Sequence, residues 1–460
     1  MQSQFLKNGV TKITPENMEE ALQQAIEIEI ATLPTYLSTY YSIQRVPQQQ
    51  TMIDEFTSLF INVCKKTEEE AAEQALERSA QIMVFANKAG ANIISVAVEE
   101  MLHMSLVSNV KQAMFGHPEL TGKSPKEWPA YLAGHEPAFP INRAKLSGKQ
   151  LDTFMRIESP KPLDNTLLKT AAIPYHTIGD FYQGIQDCIR KDYQEDCQYD
   201  PDRPQLVPNR GYYAQNNIDS MYYDKQHKPV YQNADDAGNL IHVVNTKTAL
   251  QALAIIIEQG EGAGSDNDAD RIYDDPSCKE LAHYYKFEQL KEELDCINRL
   301  FKATFGDDFE VEKYFIYNFE DNATTAHFPT SIQAVSNLTN AMYSYLFIMS
   351  QACYHADEHT QFEIFMFGIH KSMLWILSSL CNTMNTFKYI GKDGKEYVAT
   401  ATYEEYQFSA SSSPKSQIIE LFNQALGAYE GIDYIKERIH DLPDVPIKDY
   451  LKKSDSSLMA

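Results

Sequence analysis

Between residues 15 and 44 the apolar side chains Met18, Leu22, Ala25, Ile26, Leu33, Leu37 and Tyr40 recur three or four positions apart, the spacing that lines one face of an α-helix. Thr14 stands at the N-cap, Pro15 at the first helical position and Glu16 in the first turn, the signals of a helix start. Asn17 occupies the place where a full capping box would want Glu or Gln. Pro34 removes one backbone donor, so a kink is expected about one turn after Glu29. A second helical stretch, residues 68–115, is acidic at its start, apolar through residues 93–98, and stops at Gly116 with Pro118 beyond. The polar link around Pro47 has room for a short helix.

From Pro118 to about Pro162 the periodicity fades into Trp128-Pro129, Gly134, Pro137, Pro140 and Pro160, with one short helix predicted near residues 147–157. Another helix is predicted over residues 178–194. Residues 195–245 are rich in Tyr, Asp, Asn, Gln and Pro without a sustained period, which predicts a long insertion with a short hairpin near 230–244. A third long helix is predicted over residues 246–259, with Leu250, Leu253, Ala254 and Ile257 inward, ending at Gly260-Glu261-Gly262. An acidic loop, 265–276, leads to a fourth over residues 278–305. Strong helical patterning returns at 331–385 and 413–439. These elements divide the chain into a helical bundle over 15–305, interrupted by the insertion at 118–245, a helical C-terminal extension over 306–445, and a tail over 446–460.

Composition narrows the function. The 460 residues carry 64 acidic and 40 basic side chains, a net charge of −24, which argues against nucleic acid or an anionic membrane surface as the partner. No apolar run approaches the roughly 20 residues that span a bilayer. The polar start MQSQFLKNGVTKITPEN lacks the basic and apolar regions of a signal peptide, so a cytoplasmic location is expected. Seven scattered cysteines, with no C-x-x-C pair, suggest neither a disulfide framework nor a thiolate zinc site. Cys188 and Cys197 flank a polar loop and are expected as free thiols in a reducing compartment.

Chemistry enters with two Glu-x-x-His pairs, Glu100/His103 and Glu280/His283. On a helix each pair aims a carboxylate and an imidazole at one point. Two such pairs, with one Glu from each of two further helices, build a carboxylate-bridged dimetal site. Glu29 supplies the first-helix carboxylate, favoured over Glu27 because Tyr36 follows it two turns along the same face. Glu258 and Glu261 compete for the third-helix place. Glu261 continues the inward stripe but meets the negative end of the helix dipole, and Glu258 relieves that penalty only slightly. Four carboxylates would balance two divalent cations, whereas converging in an apolar core without metal they would repel and force protonation. Oxygen-rich ligation with one imidazole per metal suits iron, or manganese, better than zinc. Glu99 lies about a hundred degrees round the helix from Glu100, out of register with His103, and is expected on a solvated face or behind a ligand. A second polar group, His355, His359, Glu363 and His370, also has ligand spacing, but it lacks companion carboxylates and reads as core or interface histidines.

Six blocks in order carry a family resemblance: residues 25–37 (AIEIEIATLPTYL), 98–104 (VEEMLHM), 154–160 (FMRIESP), 177–182 (TIGDFY), 258–262 (EQGEG) and 280–287 (ELAHYYKF). Over roughly residues 15–300 the chain resembles the ferritin-like family named for iminophenyl-pyruvate dimer synthase, which includes a domain of the violacein- and rebeccamycin-pathway enzymes that couple amino-acid-derived imines. Those enzymes are much longer chains regarded as haem proteins, whereas this chain offers no c-type haem attachment motif. The resemblance implies an all-α fold, a ferritin-like four-helix bundle with loop-rich insertions, and supports Glu29, Glu100, His103, Glu280 and His283 as ligands. The expected function is that of a non-haem dimetal, di-iron or dimanganese, oxidase or oxygenase, using dioxygen on a small amino-acid-derived metabolite of secondary metabolism. Glu100 and Glu280 would bridge the metals, with Tyr36 beside them, and a homodimer is the candidate assembly. Imine coupling is the alternative enzyme reading; iron storage or ferroxidase activity is the alternative from another class.

Overall fold

The computed structural model describes residues 6–7, 10–45, 48–160, 172–207, 240–260 and 282–446. Helices dominate it: α1 (Met18–Tyr41), α2 (Gln49–Asn62), α3 (Glu68–Met114), α4 (Gly148–Ile157), α5 (Ile178–Asp192), α6 (Thr246–Gly260) and α7 (His283–Phe305). The C-terminal part adds α8 (Thr330–Cys353), α9 (Glu358–Met384) and α10 (Pro414–Ala428). Two small antiparallel hairpins, β1 (Leu6–Lys7) with β2 (Val10–Thr11) and β3 (Lys388–Ile390) with β4 (Glu396–Val398), and short helical turns such as Lys436–His440 accompany them.

Local chemistry explains the helix boundaries. α1 begins after Asn17, whose side chain makes no bond to the first helical turn; its Oδ1 instead accepts the Thr14 backbone N–H at 2.7 Å, closing a turn that starts at Thr14. The helix stays continuous across Pro34. A complete capping box opens α3: Thr67 Oγ1 accepts the Glu70 N–H and the Glu70 carboxylate accepts the Thr67 N–H. Gly116, at φ +78°, ends it as expected. Ser147 and Thr177 cap α4 and α5 through their hydroxyls.

Three expected elements differ. The stretch 331–385 breaks at residues 354–357, where Asp357 turns its carboxylate onto the N–H groups of His359 and Thr360 and starts a new helix. That new helix, α9, passes through wide π-type turns over Ile364–His370 and Ser372–Leu377. The stretch 413–439 ends its first helix at Ala428, because Tyr429 leaves helical backbone and lays its ring over Gly431, where a Cβ would clash with it. The expected loop at 265–276 and most of the hairpin expected at 230–244 lie outside the described residues; 240–244 form no strand.

α3 is the axis of the bundle, packed by α1, α2, α6 and α7, while α4 packs on α7 and α5 bridges α1 and α6. Two helical segments of the insertion at 118–245, α4 and α5, therefore pack directly on the bundle. The C-terminal part is tied to the same axis: Tyr354 donates its hydroxyl to the Ser105 carbonyl, Gln112 donates to the Tyr354 carbonyl, and Asn385 donates to the Tyr41 carbonyl. By length and apolar composition α3 and α9 are each sufficient to cross a membrane, contrary to the shorter runs read from the sequence. The apolar window of α3 is wholly buried inside the protein, that of a core helix. The described cysteines, Cys188 and Cys197 among them, are free.

Candidate metal centre

Five described side chains meet around the middle of α3, each no more than 3% exposed: Glu29 from α1, Glu100 and His103 from α3, Glu158 from the end of α4, and His283 from the start of α7. Glu29, Glu100 and His103 form one group, and Glu100, Glu158 and His283 another, with one ligand-type atom from each member within 4.8 Å of the others in its group. Glu100 belongs to both. Its Oε1 lies 3.6 Å from His103 Nδ1 and 3.2 Å from His283 Nδ1, while Oε2 accepts the Thr32 hydroxyl at 2.7 Å. His103 Nδ1 is 3.7 Å from Glu29 Oε2, and His283 Nδ1 is 3.6 Å from Glu158 Oε2. The two imidazoles stack with centroids 5.5 Å apart.

A ring of partners behind these groups holds them in place. Tyr182 of α5 donates its hydroxyl to Glu29, and Tyr36 of α1 donates its hydroxyl to Glu158. His103 Nε2 meets the Gln259 side-chain oxygen at 2.8 Å, and His283 Nε2 meets Glu99 Oε2 at 2.6 Å. Lys286 reaches both Glu99 oxygens at 3.1 and 3.2 Å. Each Nε2 thus gives its proton to an acceptor behind it. That turns both Nδ1 atoms toward the carboxylates, where a cation replacing the inward proton would find them as ligands.

The electrostatics describe a cluster short of positive charge. Burial, joined by the adjacent Glu100 carboxylate, pushes Glu29 up to about 7. Burial alone would lower His103, yet the carboxylates of Glu100 and Glu29 outweigh it and hold the imidazole at about 10. His283 is raised well above the ordinary histidine value, against burial, by Glu100, Glu158 and Glu99. Glu100 lies below the ordinary carboxylate range because two imidazoles overcome its desolvation. His283 Nδ1 is buried without a hydrogen-bond partner, an expensive state for an apolar interior. A buried set of carboxylates around two inward imidazoles fits divalent cations of the iron or manganese type, which take oxygen and imidazole together.

The sequence-derived candidates fall into three groups. Glu29, Glu100, His103 and His283 converge, and Tyr36 reaches the centre through Glu158. Glu261 and Glu280 lie outside the described residues. Glu258 is not in the cluster: its side chain is exposed, and its neighbour Gln259 faces His103. The buried face of α6 is Ala249, Ala252, Leu253, Ile256 and Gly260, rotated from the expected stripe, and that rotation carries Glu258 outward. Glu99 is buried behind His283. Sequence reasoning missed Glu158 because it sits at a helix C-cap, outside any periodic pattern; the only signal was its place in the block 154–160. Tyr182 was likewise inside a matched block without an assigned role. His355, His359 and Glu363 are exposed on the outer surface near the start of α9, not buried core histidines.

The fold and the site together define a helical protein with a buried carboxylate and imidazole cluster suited to two metal ions. The model of the ferritin-like family matches residues 22–292, and the chain belongs to that family. A solved structure of a ferritin-like protein from Caulobacter vibrioides matches with 16% identity and a TM-score of 0.41, over 78% of this chain and 98% of that one. No curated protein matches the chain.

Proposed function

We propose that the protein is a non-haem dimetal oxidase or oxygenase, with two irons as the native metals, that uses dioxygen to oxidise a small amino-acid-derived metabolite. The observation that carries this reading is the sharing of Glu100 between two carboxylate and imidazole groups, the arrangement of a bridged metal pair. Glu29, Glu100 and His103 would hold one ion, and Glu100, Glu158 and His283 the other. When bound, a pair of ferrous ions supplies the electrons with which dioxygen is reduced. The chain's own residues hold the ligand imidazoles in place, and the burial of Glu29, Glu100, His103, Glu158 and His283, each no more than 3% exposed, keeps bulk water from the cluster. The amino-acid-derived substrate class rests on the resemblance to the iminophenyl-pyruvate dimer synthase type across six sequence blocks.

The test is metal analysis after iron-replete expression, followed by oxygen consumption with a panel of amino acids, their imines and 2-oxo acids. About two irons per chain are expected, with oxygen uptake stimulated by one member of the panel. A chain that binds no iron refutes the dimetal reading. Iron oxidation that proceeds equally with and without every metabolite, in cage-sized particles, would replace the oxygenase by a ferroxidase or storage protein.

A further inference from the structure

The two candidate metal positions match in their inner parts. Each has one inward Nδ1 facing Glu100 Oε1, and one carboxylate that accepts a tyrosine hydroxyl, Tyr182 on Glu29 and Tyr36 on Glu158. They differ behind the imidazole. His103 Nε2 faces the neutral amide oxygen of Gln259, on a half-buried side chain, whereas His283 Nε2 faces the carboxylate of Glu99, itself gripped by the buried ammonium of Lys286. A charged acceptor makes a shorter and stronger hydrogen bond than an amide oxygen; the two distances here are 2.6 and 2.8 Å. It also pushes more electron density through the ring to Nδ1, so the imidazole it holds is the better ligand.

Resting on the dimetal reading above, we infer that the two positions are unequal and fill in order, the His283 position first, with Glu99 and Lys286 as the positioning residues that set the order. Lys286 is central to this arrangement because a lone carboxylate 3% exposed would be costly to keep ionised. Paired with Lys286 it stays an acceptor and adds no net charge beside the ligands. Its ammonium contacts both Glu99 oxygens and lies 3.5 Å from Ser95 Oγ, so the carboxylate is held on α3 and α7 at once. Gln259 offers the His103 position no such anchor.

Titration of the metal-free full chain with ferrous iron under anaerobic conditions, read by calorimetry, separates the cases. Two steps are expected, at least about 10-fold apart in affinity, in line with the effect of an outer hydrogen-bond partner. His103→Ala should retain the tight step and His283→Ala the weak one. Glu99→Gln should weaken the tight step by about 10- to 100-fold while two ions still bind, and Glu99→Asp should restore part of the loss. Gln259→Glu gives the His103 imidazole a carboxylate of its own and should tighten the weak step, a gain that a merely structural role does not produce; it also carries the test should Glu99→Gln fail to fold. Equal steps in the wild type, or an isotherm that neither Glu99→Gln nor Gln259→Glu moves, overturns the inference. A wild-type chain that binds no ferrous iron overturns the dimetal reading instead.

Discussion

α3 and α9 are both long and apolar enough to cross a membrane by length and composition, and both carry histidines and glutamates at ligand spacing, yet their chemistry is opposite. The apolar window of α3 is wholly buried, and within that helix Glu99, Glu100 and His103 are each at most 3% exposed. Only 56% of the corresponding window of α9 is buried. Phe367 and Trp375 stand on its surface with the Lys371 ammonium 3.8 and 5.3 Å from their rings, and His359 and Glu363 are exposed. Spacing alone therefore says little about ligation. Water can satisfy a hydrated imidazole or carboxylate, whereas a buried one must find a proton, an opposite charge or a metal. The buried polar groups of α3 are costly unless a cation is brought to them, and that cost is what marks the site.

The largest effect that separates the helices is in metal binding. His103→Ala removes a buried Nδ1 from the cluster and should lower iron affinity at its position at least about 100-fold, beyond the roughly 10- to 100-fold that loss of an outer hydrogen-bond partner costs. His359→Ala should leave metal content unchanged. Loss of metal in the α9 variant, or its retention in the α3 variant, would break the comparison. Packing gives a second and smaller contrast. Leu106 is fully buried on α3, and Leu106→Ala should cost about 2–5 kcal/mol in unfolding free energy. Trp375 is 45% exposed, with the Lys371 and Arg438 cations each 5.3 Å from its ring. Trp375→Ala should cost only about 1 kcal/mol, the scale of exposed cation–π contacts. Denaturant unfolding of the two metal-free variants against the metal-free wild type reads both values.

The same contrast explains how much could be read in advance. The start and end of α3 were legible because its acidic first turn, Glu68 to Glu70, and Gly116 act on their own backbone, within one turn. Glu29, Glu100 and His103 were legible because charged residues inside strongly apolar runs declare themselves. Glu158 was not, since its meeting with His283 spans the chain between two helices and leaves no local period. The face of α6 was misjudged for a related reason. Ile255, Ile256 and Ile257 are consecutive, so apolar pattern alone allows more than one inward face, and tertiary packing chose the one that presents Gln259 and turns Glu258 out. The break before α9 rests on one side chain, Asp357, whose capping bonds compete with continuation of α8 only once the turn at residues 354–357 has formed.

The smallest expected effect lies at the first turns, where the two helices are capped by different chemistry. At α3 one half of the cap is a neutral hydroxyl, Thr67 Oγ1, accepting the Glu70 N–H at 3.3 Å. At α9 the His359 and Thr360 N–H groups both bond the Asp357 carboxylate, at 3.1 Å each. The Thr360 and His359 N–H groups hold the Asp357 carboxyl below its ordinary value of 3.8, the Thr360 backbone bond first. An acid whose pKa is lowered by folding contributes stability that is fully present above its unfolded value and is lost as pH falls through its folded value. The advantage of Asp357 over an Asn at the same place should therefore persist from neutral pH down to about 4 and fade below it, since 3.8 is its reference value. Thr67→Ala, in contrast, should cost about 1 kcal/mol near neutral pH and keep part of that cost in acid, because the hydroxyl's acceptance of the Glu70 N–H does not titrate while its bond to the Glu70 carboxylate does. Melting temperatures of wild type, Asp357→Asn and Thr67→Ala between pH 6 and pH 3 distinguish the two caps. An Asp357→Asn difference that stays constant with acidification, or a Thr67→Ala difference that vanishes with it, would show that the two helix starts are held by the same interaction after all.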